Sequence, residues 1–341
     1  MATKFWEPRI VRIPKGNGRF REIAIPSGDA IVQEAMRAWR RCLSRRLESL
    51  PDVDHIHGFR SMRNAVTNAE AHVGFEYTVS VDLQDFFPSI SAVTVERILL
   101  EASAAETAGG GVPPPTPGSS WWKLPSMDVL LTVNGALPQG YPTSPAIANL
   151  VGLDMDLPIK TFLRSVDSSA VYTRYADDLT VSTNDRSLAL AIPSHLEAIC
   201  AAAGFNLATK KTRVQWAGAG RRVVCGVAVG PDTVYATRAS RRKLRAAEHR
   251  LAKTGSNRAR MHAAGLREWT KLRRPVVGRA MRGMVADAVV ALSKGDDRAY
   301  EQVAFKAECL GTPEQVRAFR EMVVKRWEVS CRGENQKTAT G

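Results

Sequence analysis

The chain has 341 residues, 44% of them hydrophobic and 24% charged, which places it among ordinary soluble proteins long enough for two or three subdomains. No run approaches the ~20 apolar residues of a membrane span, and Met1-Ala2-Thr3-Lys4-Phe5-Trp6 lacks the apolar core of a secretory signal, so a cytoplasmic protein with no membrane partner is expected. The formal net charge of +14 is not ordinary: between Arg238 and Arg282 fifteen Lys/Arg face only Glu248 and Glu268, and a localised excess of that kind favours a polyanionic partner.

Residues 9–26 alternate like two strands around Lys15-Gly16-Asn17-Gly18, which predicts a basic hairpin. Its Lys15, Arg19 and Arg21 suit a phosphate and a solvated surface equally well. Ile31 to Leu47 has the spacing of an amphipathic helix. In Asp54-His55-Ile56-His57-Gly58-Phe59-Arg60 the two histidines have no acidic or thiol partner at ligand spacing, so structural or RNA-contacting roles are favoured over zinc. Asn68 and His72 are four residues apart, on one face of a helix.

Tyr77 to Leu83 alternates strictly and predicts a strand, with Asp82 near its end. Aspartate is disfavoured in strands, and metal binding is a reason for one there. Core packing accounts for Phe86 and is also available to Phe87. Residues 103–120 form a low-complexity run of Ala, Gly, Pro and Ser, expected as a flexible surface insertion. Leu137 to Pro145 is a loop dense in Gly and Pro, with Ser144 as the expected N-cap and Pro145 at the first helical position. Ile147, Leu150, Val151 and Asp154 then trace a helix.

Two runs rich in β-formers, Ala170–Thr173 and Leu179–Thr183, flank Arg174-Tyr175-Ala176-Asp177-Asp178, which predicts a hairpin with an acidic tip. Taken alone, such a pair is most simply a surface turn. Two fixed carboxylates repel each other, however, and a hard divalent cation relieves that repulsion if a third carboxylate joins them. Ser194 to Ala203 reads as a helix closed by Gly204, followed by strand-like Phe205–Val214 and Val223–Val229. From Ser240 the basic region is helical, with Leu244, Ala247 and Leu251 inside. Thr312-Pro313-Glu314-Gln315 opens a last helix with a capping box, and a disordered tail is expected at the end, over 331–341. The five scattered cysteines form no CxxC pair and are expected as reduced thiols without zinc.

In their order these segments resemble reverse transcriptases, RNA-directed DNA polymerases, and specifically the bacterial retron type. The resemblance runs from about Arg12 to about Arg250. Asp82 with Phe86-Phe87-Pro88-Ser89-Ile90, then Gln139-Gly140-Tyr141-Pro142-Thr143-Ser144-Pro145, then Tyr175-Ala176-Asp177-Asp178, and Gly204-Phe205 with Lys211-Thr212 are similar to four successive palm motifs. Asn68-Ala69 with His72 resembles a retron pattern. Val224-Cys225-Gly226 falls where retron enzymes carry Val-Thr-Gly; Cys for Thr removes the hydroxyl. Ala208, where relatives often have Asn, is a second departure.

The resemblance implies an α+β fold: a right-hand polymerase with fingers, a palm built on a ferredoxin-like antiparallel sheet, and a mostly helical basic thumb. Fingers are expected over 1–76 and palm over 77–100 and 146–236. A connection with the insertion falls at 101–145, and the thumb at 237–330. The implied catalytic residues are Asp82, Asp177 and Asp178. With the carbonyl of Leu83 they would hold two Mg²⁺ ions for transfer of dNTP substrates. Lys15 and Arg21 would grip the triphosphate, Gln139 would position the nucleotide, Phe87 would exclude a ribose 2′-hydroxyl, and Lys211 would donate a proton to pyrophosphate. Asn68, His72, Val224, Cys225 and Gly226 are implied to bind RNA, and the thumb's Arg241, Arg242 and Arg245 its backbone. Partners implied are a cognate structured non-coding RNA, serving as template and as primer through an internal 2′-hydroxyl, its branched DNA product, and an effector protein in phage defence. A free-standing or group II-like reverse transcriptase and a non-catalytic RNA-binding scaffold are the alternatives.

Overall fold

Alternation at the start of the chain does build a hairpin: β1 (Arg9–Gly16) pairs antiparallel with β2 (Arg19–Ile25), from Arg9↔Ile25 to Gly16↔Arg19, with a register shift between Pro14 and Gly16. Asp29 accepts from Ile31 N and caps α1 (Ala30–Ser49), whose Val32, Ala35, Met36, Trp39 and Leu43 are buried. Next come α2 (Ala65–Glu70), β3 (Tyr77–Asp82), α3 (Ala92–Ala108), α4 (Met127–Leu131), α5 (Ser144–Val151) and α6 (Leu153–Val166). The hairpin strands β4 (Val171–Tyr175) and β5 (Asp178–Thr183) follow, then α7 (Arg186–Ala202) and β6 (Arg213–Trp216). The chain continues through β7 (Arg222–Val224), β8 (Val227–Val229), β9 (Thr233–Ala236), α8 (Arg238–Thr254), α9 (Asn257–Thr270), β10 (Arg273–Pro275), α10 (Arg279–Ser293) and α11 (Asp297–Leu310). The computed structural model describes residues 6–16, 18–111, 126–270, 273–275, 279–310, 316–317, 319–324 and 327. The architecture is mixed α/β, with two four-stranded sheets of order β4-β5-β3-β6 and β10-β9-β8-β7.

The chain divides into two units. The first comprises Met1–Asn64, Val79–Val181 and Ser187–Arg213. Here α1 packs on α3 and α5, and helical stripes bury Met155, Ile159 and Leu163 of α6 and Ile192, Leu196 and Cys200 of α7. The second unit comprises Ala65–Thr78, Ser182–Arg186 and Val214–Gly341. Its α2 lies on β7, β8 and β9 over a core of Val66, Ala69, Val73, Val224, Val227, Val229 and Val234. A separate cluster of Met281, Val285, Ala288, Ala307, Phe319 and Val323 includes the α10–α11 pair.

Local chemistry moves several expected boundaries. Helix α3 runs through the Ala-rich start of the low-complexity stretch, because alanine is the best helix former. Thr143, not Ser144, is the N-cap of α5, and its side chain makes no capping bond. The helix expected to continue to Asp154 stops at Gly152, where an added Cβ would stand 2.6 Å from the Arg174 guanidinium carbon. Helix α2 ends at Glu70, so His72 lies beyond it rather than on its face. Phe205–Val214 holds a 3-10 turn at Thr209–Lys211 before β6. Val223–Val229 is not one strand but the hairpin β7–β8, turning through Cys225 (φ 45) and Gly226 (φ 78). Cys42, Cys200 and Cys225 are reduced thiols outside any disulfide. Cys331, the Cys309 side chain, residues 112–125, Thr312–Gln315 and the tail lie outside the described residues. Among the described residues no helix is long and apolar enough to cross a membrane.

Candidate active site

The first unit holds a cavity of about 860 Å³. Asp82, the last residue of β3, and Leu83 after it form one wall. Leu83 N donates to Asp177 O at 2.9 Å, which fixes the β4–β5 turn against the end of β3. On the other side Ala208 N donates to Asp82 O and Gln84 N to Asn206 O, both at 2.7 Å, so residues 206–208 flank the same strand end. The turn passes through Ala176 in the left-handed region (φ 58), a conformation costly for a residue with a Cβ. It places Asp177 in the wall of the same cavity that Lys15, Arg21 and Ile23 of the first hairpin line.

Loop 137–145 supplies a further wall. Ala24 N donates to Gln139 O at 2.8 Å, and at Gly140 (φ 111) an added Cβ would stand 2.5 Å from Ala24 O. Only glycine lets the loop lie flush against β2, and Gln139 faces the cavity as a result. Lys15, Arg21, Phe87, Gln139 and Lys211, all expected at a nucleotide, line this one space. Phe86 is buried against Phe205, as its core reading requires. The Arg19 side chain lies outside the described residues.

Asp82 accepts from Lys211 Nζ at 2.6 Å, and this partner raises the Lys211 ammonium above its ordinary value. Burial, with the Asp82 charge adding to it, pushes the Asp177 carboxyl up against the opposing pull of its own backbone hydrogen bond, Lys211 and Arg21. Two carboxylates converging on one space, with the Asp177 carboxyl raised, form a donor set that a hard divalent cation suits. Asp178 opens β5 half-buried and adds to the field at Lys211 without lining the cavity. Among the described residues no three His, Cys, Asp or Glu stand together as a ready metal cage. The donor chemistry fits a divalent cation, then, while Asp178 is not among the residues that line the cavity and Lys211 occupies Asp82.

The expected RNA contacts lie in the second unit. Asn68 and His72 are fully buried and bond to neighbours in the interior. Asn68 Nδ2 donates to Cys225 Sγ at 3.2 Å, and His72 Nδ1 lies 2.9 Å from Ser182 Oγ. Val224 is buried, Cys225 half-buried and Gly226 exposed at the tip of the turn. Exposed Arg241, Arg242 and Arg245 line a hollow of about 710 Å³ on α8.

Sequence reasoning missed a buried network in the first unit. Arg174, with no exposed surface, donates to Asp156 through Nε and an Nη (2.8–3.0 Å) and to Asn149 Oδ1 and O, both at 3.0 Å. Asp156 also accepts from Tyr172 Oη (2.6 Å) and pairs with His55 Nε2 (2.9 Å). Burial alone would raise the Asp156 carboxyl; the Arg174 charge and the His55 and Arg174 hydrogen bonds outweigh it and hold it at about 2. His57 is buried too, and burial with the Arg63 and Arg60 charges lowers it to about 4, which fits the structural reading of both histidines. The one sequence signal was Asp156 itself, a carboxylate beside Met155 on the apolar stripe of α6.

Among known proteins, residues 13–219 match the family model described as reverse transcriptase (RNA-dependent DNA polymerase). The chain is 34% identical over 259 residues to the Retron Mx162 reverse transcriptase of Myxococcus xanthus, covering 71% of this chain and 52% of that protein. It is 31% identical over 267 residues to the Retron Mx65 reverse transcriptase of the same organism, with 77% and 60% covered. Against the Retron Ec86 reverse transcriptase of Escherichia coli the figures are 27% over 233 residues, with 68% and 66% covered. The chain thus spans about half to two-thirds of the length of these relatives.

Proposed function

Because the chain belongs to the reverse transcriptase family, and to its bacterial retron type, we propose that it copies part of a cognate structured non-coding RNA into DNA in the cavity of its first unit. The observation that carries this reading is the convergence on that cavity of Asp82, Asp177, Lys15, Arg21, Gln139, Phe87 and Lys211. Asp82, Asp177, Asp178 and the Leu83 carbonyl would hold two Mg²⁺ ions, whose chemistry is activation of the primer hydroxyl and neutralisation of the triphosphate. Lys15 and Arg21 bind the triphosphate oxygens by charge-assisted bonds. Gln139 orients the nucleotide, and Phe87 closes the space beside its sugar. Lys211, already bonded to Asp82, carries the proton passed to the leaving pyrophosphate.

In this reading residues 1–76 act as fingers, 77–100 and 146–236 as palm, and 237–330 as thumb. Arg241, Arg242 and Arg245 neutralise phosphates of the template–product duplex. Asn68 serves the RNA indirectly, by holding Cys225 in the Val224–Gly226 turn, and His72 by its bond to Ser182 of β5. DNA synthesis starts from an internal RNA 2′-hydroxyl and leaves branched RNA–DNA, in a setting of phage defence beside an effector protein.

Nucleic acid recovered with the purified protein tests the reading. Branched RNA–DNA is the expected product. Extension of any template without a branch assigns the chain to a free-standing or group II-like enzyme, and bound RNA without synthesis makes it a scaffold. Asp178→Ala abolishes DNA synthesis and leaves RNA binding nearly intact; normal extension by that variant refutes the carboxylate assignment.

A further inference from the structure

Strand β4 lies at the edge of its sheet, yet its outer side is not open. The segment around Ile56 runs parallel to it: Arg174 N donates to His55 O and His57 N to Arg174 O, both at 2.8 Å. The next residue, Gly58, lies directly against the acidic turn, and an added Cβ there would stand 2.4 Å from Ala176 N and 3.1 Å from Tyr175 C. Both atoms belong to backbone, so neither can swing aside as a side chain would. Gly58 O accepts from Asn149 Nδ2 at 2.9 Å. Asn149 in turn accepts from Arg174, Arg174 donates to Asp156, and Asp156 pairs with His55 at the start of the same segment. The bonds close a ring around the base of the turn.

A left-handed Ala176 persists only where its surroundings over-determine it, and this ring supplies the determination from outside the cavity. We infer that Gly58, together with the buried Asn149–Arg174–Asp156–His55 ring, is a positioning device that sets how far the Asp177 turn stands from Asp82. None of these residues touches substrate. The inference rests on the reading of the cavity as the polymerase site.

Gly58 offers a clean probe, because its backbone is outside the left-handed region and alanine there adds bulk without backbone strain. Full-length Gly58→Ala is compared with the unmodified chain in four measurements: Mn²⁺ binding to the protein alone by electron paramagnetic resonance, kcat and KM for dNTP, RNA affinity, and thermal midpoint. A displaced turn weakens Mn²⁺ binding about 10-fold or more and lowers kcat by roughly 10- to 100-fold, since misplacement near 1 Å has that scale of effect. RNA affinity stays within about 2-fold on the same argument that the change is local. Wild-type Mn²⁺ affinity in a folded Gly58→Ala protein overturns the inference, whatever its activity. If that variant does not fold, Arg174→Lys decides the matter: it keeps the charge beside Asp156 but not the fork that also holds Asn149. The same joint loss is expected from it, and unchanged Mn²⁺ affinity again overturns the inference. An unmodified chain that synthesises no DNA would instead remove the reading of the cavity.

Discussion

Asp156→Ala tests how much of the first unit depends on one buried charge. The carboxylate is 1% exposed and Arg174 not at all. Deleting it strands a guanidinium in the core and leaves Tyr172 Oη without its acceptor. Breaking a buried pair from one side costs about 3–5 kcal/mol, most of it the uncompensated partner. The pKa offers a second route to the magnitude. A carboxyl held at about 2 instead of 3.8 is worth on the order of 2 kcal/mol at neutral pH. Because the folded value lies below the unfolded one, that stability is present above about pH 4 and is lost as pH falls toward 2. Urea unfolding followed by circular dichroism at pH 7 and pH 3 separates the two terms. The wild type loses stability on acidification, whereas Asp156→Asn, already without the charge, loses less. Adding Arg174→Met to Asp156→Ala restores part of the loss, giving a coupling energy of about 1–3 kcal/mol. A cost below about 1 kcal/mol for Asp156→Ala, or strict additivity of the two substitutions, would refute the assignment of this pair as a structural keystone.

Three further outcomes follow from the two sites. Asp177→Asn raises the thermal midpoint of the protein in EDTA while stopping DNA synthesis. Its carboxyl is raised, so the charged form destabilises the fold at neutral pH and an uncharged isostere relieves it; a lower midpoint would contradict this. Phe87→Ala increases ribonucleotide incorporation relative to deoxyribonucleotide by about 10-fold or more, read from single-nucleotide extension, and unchanged selectivity removes Phe87 from the sugar side of the cavity. Changing Arg241, Arg242 and Arg245 together to Ala lowers the slope of log affinity against log salt for RNA by about 2–3. An unchanged slope would place the RNA elsewhere.

Much of the cavity was legible because its residues are of types that their local structure disfavours without a chemical reason. Asp82 is a carboxylate at the end of a strand, where aspartate is disfavoured, and Gln139 and Gly140 stand in a loop dense in Gly and Pro. The parts that escaped are long-range. Nothing near Gly58 announces that its missing Cβ makes room for Ala176, more than a hundred residues on. Asp156 reads as a flaw in a helical stripe until Arg174 is placed beside it. Cys225 carries no signal for a left-handed turn, so Val223–Val229 reads as one strand where the chain makes two. His72 was assigned to a helix face by spacing alone, although the helix ends two residues earlier. Spacing records which side a residue lies on, and burial of polar groups is decided by partners that spacing does not contain.

The first hairpin has a mechanical consequence. Strands β1 and β2 form a two-stranded sheet of their own, and such ribbons are marginally stable in isolation. A backbone bond from Ala24 N to Gln139 O ties it to the 137–145 loop. Releasing one hydrogen bond of that sort costs about 0.5–1.5 kcal/mol, far less than disturbing the helical core behind it. Lys15 and Arg21 are thus carried into the cavity wall by a ribbon that depends for its place on the contact of Ile23 and Ala24 with the Gln139–Gly140 loop.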